Sequence, residues 1–310
     1  MKQFFKEFWR KNKGSIVFFS LLRVLSFAQV LFWPYAFSKV VNILSNEPEN
    51  WEMAFYWAGA MIINKVAEDF VRIKAKYEIE KISNKLQIEL ATFCTENTEL
   101  REGRKTGESV QAIKKAYEYI DSMLDFYRNK LLKLPVDFII IPIILWRANI
   151  SYLVLLSIYV VSYLVFNYFL HRIYHARMKG YLKAAEVFWG TAYRKAPEVW
   201  REREDGYVFA DQVEKEGEDL FIKQTAADRI NMWRWALTQA YSSAFIGGVV
   251  LFVAHKIISG VAPLGTLVLV VGYFREIQTT LGVITTAFNN FTQVKLSLSR
   301  LSKSVKIRGE

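Results

Sequence analysis

The run from Leu264 to Phe291 leaves few folds open to this chain. It is predominantly apolar, its only charged residues are Arg275 and Glu276, and no proline follows Pro263. As a helix rising ~1.5 Å per residue it is roughly 40 Å long, enough for a hydrocarbon core of ~30 Å and one interface. A short turn, Gly260 to Pro263, precedes it, and a basic tail with Lys295, Arg300, Lys303, Lys306 and Arg308 follows. A helix of this length and apolarity is expected to span a membrane.

The 310 residues are 52% hydrophobic and 15% aromatic, yet 23% charged, which suits a chain alternating between lipid and water. The one cysteine, Cys94, excludes an internal disulfide and a cysteine-based zinc site. The net charge of +11 suits either nucleic acid or membrane phosphate, and its distribution separates the two.

The first apolar run, Ile16 to Leu44, follows a basic segment carrying Phe4, Phe5, Phe8 and Trp9, which reads as an interfacial anchor. The run is too long for a signal peptide and lacks a small-residue cleavage site, so it reads as a retained span, kinked at Pro34. Trp51 to Val71 is a second, weaker span, with Lys65, Glu68 and Asp69 at its approach to water. Arg72 to Asn97 continues without Gly or Pro and with apolar residues at helical spacing, so the helix runs on beyond the membrane. It breaks between Glu99 and Gly107 and returns over Glu108 to Lys130. Leu131 to Trp146 is a third span, bent at Pro135 and Pro142; Arg147 to Ile150 is a turn; Ser151 to Leu170 is a fourth span. The pattern repeats: a charged helical excursion from His171 to Arg234, broken between Pro197 and Gly206, then Trp235 to Ile258 as a fifth span and Leu264 to Phe291 as the sixth. The fold class expected is all-α and polytopic, with six long transmembrane helices and two helical extensions over 72–130 and 171–234.

Charge assigns the sides. Of 41 Lys and Arg, five lie in residues 1–14, five in the tail, and twelve in each extension, whereas the three short turns and their borders hold only Arg147 and Lys256. Basic residues favour the cytoplasm, so both termini and both extensions are expected inside. Topology accounts for the basic bias, and nucleic-acid binding is not needed.

Several local patterns, in order, resemble the membrane domain of the ABC exporter family. They are Gly260-x-x-Pro263-x-Gly265-Thr266-x-Val268 with Tyr273 and the exit Ser299-Arg300-Leu301; Thr106-Gly107-Glu108 with Asp121; Glu198 with Phe209-Ala210; and Pro34 in the first span. The resemblance runs from about Phe8 to Leu301. It implies that the tips of the two extensions are short coupling helices seated on an ATP-binding subunit. The residues implied are Asn97, Glu99, Leu100, Arg101 and Glu102 in the first tip, and Trp200, Arg201, Arg203, Glu204 and Tyr207 in the second. The second tip, Trp200 to Gly206, departs from the small and apolar residues usual there, and so many charges need paired partners on the motor. The resemblance further implies a dimer, of two copies or two related halves, and export of an amphipathic substrate.

This chain alone is not expected to be an enzyme. No Gly-x-x-x-x-Gly-Lys-Ser/Thr phosphate loop and no Leu-Ser-Gly-Gly-Gln-like signature occurs, so ATP and Mg would be held by a separate subunit. No cofactor, catalytic constellation or metal site is expected. His171 and His175 are four apart on one helix but lie at a membrane border among Arg172 and Arg177, without a His-Glu-x-x-His pattern. Charges inside spans carry more information, because lipid-facing charge costs about 2.5–3.5 kcal/mol at a helix centre. Arg23, Asp137, Tyr273, Arg275 and Glu276 are the candidate pathway residues, with Lys39 and the aromatics Phe27, Phe32, Trp33, Tyr152, Tyr159 and Phe166 as further candidates for a cavity wall. Pairing of Arg275 with Glu276 or Asp137 is the competing account. The alternative function is a membrane scaffold or receptor that keeps the fold without transporting.

Overall fold

The computed structural model describes residues 2–100, 126–127, 130–199 and 206–307. Its helices are α1 (Lys2–Val30), α2 (Phe32–Asn46), α3 (Trp51–Asn97), α4 (Leu134–Ala148), α5 (Ile150–Val199), α6 (Gly206–Ile258) and α7 (Gly265–Ser304). A three-residue strand β1 (Thr98–Leu100) pairs antiparallel with β2 (Val305–Ile307). Among the described residues the protein is all-α apart from this ribbon.

The first span is two helices and not one kinked helix. Pro34 has no N–H for the carbonyl of residue 30 and its ring crowds that turn. The α-helix gives way at Leu31, whose N–H bonds to Ala28 O at 3.2 Å, and restarts at Phe32. Pro135, expected to bend the third span, instead opens α4, where a missing N–H costs nothing. Pro142 does lie inside that helix. The turn between α4 and α5 is Asn149 alone: its N–H bonds to Leu145 O, and its Oδ1 accepts from Ser151 N–H at 2.9 Å to cap α5.

Four stretches are long and apolar enough to cross a membrane: Lys6–Asn46, Ile150–Met178, Asp211–Ile258 and Gly265–Ala287. The expected spans over 51–71 and 131–146 do not pass that test by themselves. α3 carries Lys65, Glu68, Asp69 and Arg72 near the middle of its length, and α4, at 15 residues, measures only about 22 Å. Those α3 charges pair with one another. Glu68, 1% exposed, lies 2.5 Å from Lys65 Nζ and 3.4 Å from Arg72 Nε, and Arg72 also pairs with Asp69. Large apolar side chains on α3, including Phe55, Ile63 and Phe70, are exposed, as a lipid-facing stripe requires.

The chain forms two compact units. The first, residues 1–159 and 245–310, packs α1 and α2 on α3, α2 and α4 on α7, and α1 on α4. Its core holds Leu31, Ile141, Leu145, Phe274, Ile277 and Leu281, all fully buried, with the Tyr159 ring 4.8 Å from Phe245 and 5.9 Å from Phe274. The second unit, residues 160–244, pairs the rest of α5 with most of α6. Tyr241 hydroxyl meets Ser162 Oγ at 2.5 Å, Thr238 donates to Asn167 Oδ1 at 3.0 Å, and Phe166 stacks on Tyr241. Arg234, 3% exposed, lies over Tyr174 and donates to Asn231.

The first tip differs from its expected form. Asn97 ends α3, and Glu99 and Leu100 are in β1, extended and not in a coupling helix. The register sets Glu99 opposite Lys306 and Leu100 opposite Val305. Thr98, Val305 and Ile307 are β-branched and favour extended backbone. Arg101 and Glu102 of this tip, and Trp200, Arg201, Arg203 and Glu204 of the second, lie outside the described residues. Tyr207 falls in the first turn of α6.

Candidate functional site

Two helix stripes face each other inside the first unit. On α4 and the turn before it the stripe is Lys133, Asp137, Ile140, Ile144 and Arg147; on α7 it is Thr266, Leu269, Tyr273, Glu276 and Thr280. Both follow the three-and-four spacing of one helix face. They run antiparallel, so Arg147 lies at the same end as Thr266, and Lys133 at the same end as Thr280.

At the Lys133 end the stripes form an ion cluster. Lys133 Nζ is 2.6 Å from Glu276 Oε2 and 3.4 Å from Asp137 Oδ2. Thr280 Oγ1 donates to the same Asp137 oxygen. Asp137 is fully buried, and its Oδ1 has no hydrogen-bond partner among the described residues. With both carboxylates ionised, the cluster carries one net negative charge.

At the Arg147 end the stripes diverge into a cavity of about 660 Å³, closed on its third side by α2. Tyr273 is its floor; its hydroxyl donates to Leu31 O at 2.9 Å, at the junction of α1 and α2. Deep in the cavity the lining is Ala28, Leu31, Phe32, Ile140 and Leu269. Toward the short turns it becomes Ser38, Lys39, Asn42, Arg147 and Thr266. Lys39 Nζ sits over the Tyr35 ring at 5.5 Å. No Asp or Glu lines the cavity.

α2 reaches this position because α7 is thin where they cross. Gly272 lies against the Pro34 ring, and Gly265 lies against Ser38 O, with its N–H donating to Asn42 Oδ1 at 2.6 Å.

The expected pathway residues are thus divided. Asp137 and Glu276 come together, Tyr273 separates them from the cavity, and Phe32 and Lys39 line its wall. Arg275 does not join them. It is one residue from Glu276, about 100° round the helix, and is exposed. Arg23, 5% exposed, stays on α1 with its guanidinium 4.4 Å from the Phe27 ring and 3.5 Å from Ser26 Oγ. Tyr152 and Tyr159 are buried in the core, Phe166 stacks in the second unit, and Trp33 is exposed. The true partner of both carboxylates, Lys133, was legible as an i,i+4 pair with Asp137 but not as a partner of Glu276, 143 residues away.

The architecture matches a known transporter fold. The solved structure of a bacterial Atm1-family ABC exporter with ATP bound superposes with a TM-score of 0.71 at 13% sequence identity, over 94% of this chain and 53% of that one. No family model matches the sequence, and no curated protein matches it. The protein therefore has the fold of an ABC exporter transmembrane domain, built of membrane-spanning helices. It spans about half the length of the exporter chain it superposes on.

Proposed function

We propose that this chain is the transmembrane subunit of an ATP-driven exporter. It forms half of a substrate pathway and is coupled through the tips of its long helices to an ATP-binding subunit on another polypeptide, which holds ATP and Mg. Helix length is the observation that carries this reading. α3, α5 and α6 have 47, 50 and 53 residues, about 70–80 Å each, more than twice a hydrocarbon core. A scaffold needs no such levers, whereas a rigid helix carries displacement from a motor to the membrane with little loss. The second unit exposes Phe221, Ile222 and Trp233. Phe221 and Ile222 lie in the extension, away from lipid, which supports a second copy or a related half as partner. The polar stripe and amphipathic cavity suit an amphipathic substrate.

This reading puts both termini and both extensions in the cytoplasm and the short turns outside. In a Cys94→Ser background, an impermeant thiol reagent added to intact cells should label Glu49→Cys and leave Lys105→Cys unlabelled. Labelling at position 105 from outside would end the six-span topology.

The motor contact is tested by capture. Purified wild type should bring down an ATP-binding subunit from its own membrane, and capture should weaken as salt screens exposed charge pairs beyond ~8–10 Å. R201E/R203E should lose capture and coupled ATPase activity while remaining as abundant as wild type, because surface changes usually cost within ~0.5 kcal/mol. Equal capture by that variant would remove the second tip from the contact. No capture by wild type would favour the scaffold.

A further inference from the structure

Three helices grade in the same direction around the cavity. α2 passes from Phe32 to Lys39 and Asn42, α4 from Ile140 to Arg147, and α7 from Leu269 to Thr266. Each goes from apolar at the Tyr273 floor to polar or basic at the mouth. From Ile140 to Arg147 this is seven residues, a depth of about 10 Å. The mouth carries two cations and no carboxylate, and among the described residues neither cation forms an ion pair. Lys39 rests on the face of Tyr35, and Arg147 is exposed. One helical turn beyond the floor, the Lys133–Asp137–Glu276 cluster carries one net negative charge when both carboxylates are ionised. The field along the stripes is thus positive at the mouth, neutral along the wall and negative beyond the floor.

We propose that this cavity binds an anionic amphiphile. Its head group, phosphate or carboxylate, is held at the mouth between Lys39 and Arg147, and its apolar chain runs down to Tyr273. A cationic amphiphile meets like charge at the mouth. A head-down anion meets the carboxylates below the floor, in a low-dielectric setting where the repulsion is poorly screened. The head alone has little to hold it, because two partly solvated cations bind a small anion weakly, whereas each buried methylene adds about fourfold in affinity. The volume holds one alkyl chain, whose upper part fills the depth from the mouth to Tyr273. The inference deepens the transport reading by naming the substrate's charge. Its test measures binding alone, without ATP or a motor, and motor capture by the same preparations shows separately whether that reading fails.

The probe is radiolabelled dodecyl phosphate, added to full-length protein purified in neutral maltoside detergent. Saturable binding is expected, with affinity falling about tenfold or more in K39Q/R147Q, since the two partly solvated charge-assisted contacts together contribute on that order. K39Q and R147Q alone should each lose part of that affinity, which keeps the test decisive if the double variant folds poorly. Ile144→Phe, which narrows the apolar wall, should weaken dodecyl phosphate binding with both cations intact. Dodecyltrimethylammonium and inorganic phosphate should not displace the probe. Displacement by phosphatidylglycerol would assign the site to a lipid head and one of its chains; failure to displace would assign it to a free single-chain amphiphile. Both keep the anionic class. Absence of saturable binding, equal displacement by the cationic detergent, displacement by phosphate alone, or unchanged affinity in well-folded cation variants would each overturn the proposal.

Discussion

Lys133→Met is expected to be the most damaging single change to the folded unit. Methionine keeps the length and removes the charge, leaving two carboxylates, one of them fully buried, with no cation between them. Removing one partner from a buried ion pair costs about 3–5 kcal/mol, mostly as the penalty on the charge left behind. That corresponds to two to three and a half powers of ten in the folded fraction. Glu276 is partly exposed and can find solvent or accept a proton, so the cost should come mainly from Asp137. The control follows from the chemistry. In K133M/D137N/E276Q both carboxylates become neutral amides, and Thr280 keeps an acceptor at position 137. The triple variant should recover most of the loss. The measurement is the denaturation midpoint in detergent, read by size-exclusion after graded heating. A K133M midpoint equal to wild type would mean that the cluster as drawn does not hold the buried charge.

The same cluster shows what the sequence could and could not deliver. Apolar runs and basic asymmetry carry a membrane fold because lipid leaves few alternatives: backbone polar groups must be satisfied internally, and spans must be long. The helical excursions were legible for a similar reason, since Arg72 to Asn97 has no breaker. Pairings across the bundle were not legible. Asp137 and Glu276 stood out as charges in spans, but Lys133 lies at the edge of a span, where snorkelling is the ordinary expectation. Arg275, adjacent in sequence, looked the nearer partner, although neighbours on a helix diverge. The cavity was hidden more deeply. Lys39 read as a candidate for a cavity wall but Arg147 only as a turn residue, and it takes the packing of α2 and α4 on α7 to bring the two to one mouth. The strand at Thr98–Leu100 was missed because its partner, Val305–Ile307, is about 200 residues away, and a three-residue run gives no periodicity to read.

Gly265→Ala and Gly272→Ala are expected to loosen the wall of that cavity, each at a cost of about 1–3 kcal/mol, the range for overpacking a fitted interface. Small residues let membrane helices approach closely, and a methyl group removes that option. At Gly272 the added carbon would sit 2.8 Å from Pro34 Cβ, on a ring that cannot rotate away. At Gly265 it would meet Ser38 O, which is backbone, and Asn42 Oδ1 at 2.5 Å, the atom that accepts the Gly265 N–H. α2 and α7 must therefore separate, or the Asn42 bond must break. The two sites are seven residues apart, about 10 Å along α7, a separation at which independent mutations usually add. Here they should not add. Both act by pushing the same two helices apart, so the second methyl enters a gap the first has opened, and the double variant should cost less than the two singles together. Gly282→Ala, where an added carbon meets nothing within 4 Å, is the control on the same helix and should stay within ~0.5 kcal/mol of wild type. The singles, the double and the control are compared by denaturation midpoint in one detergent. Additive losses would mean that the two contacts yield locally and independently; a G265A variant as stable as Gly282→Ala would mean that α2 and α7 are not in contact at Ser38.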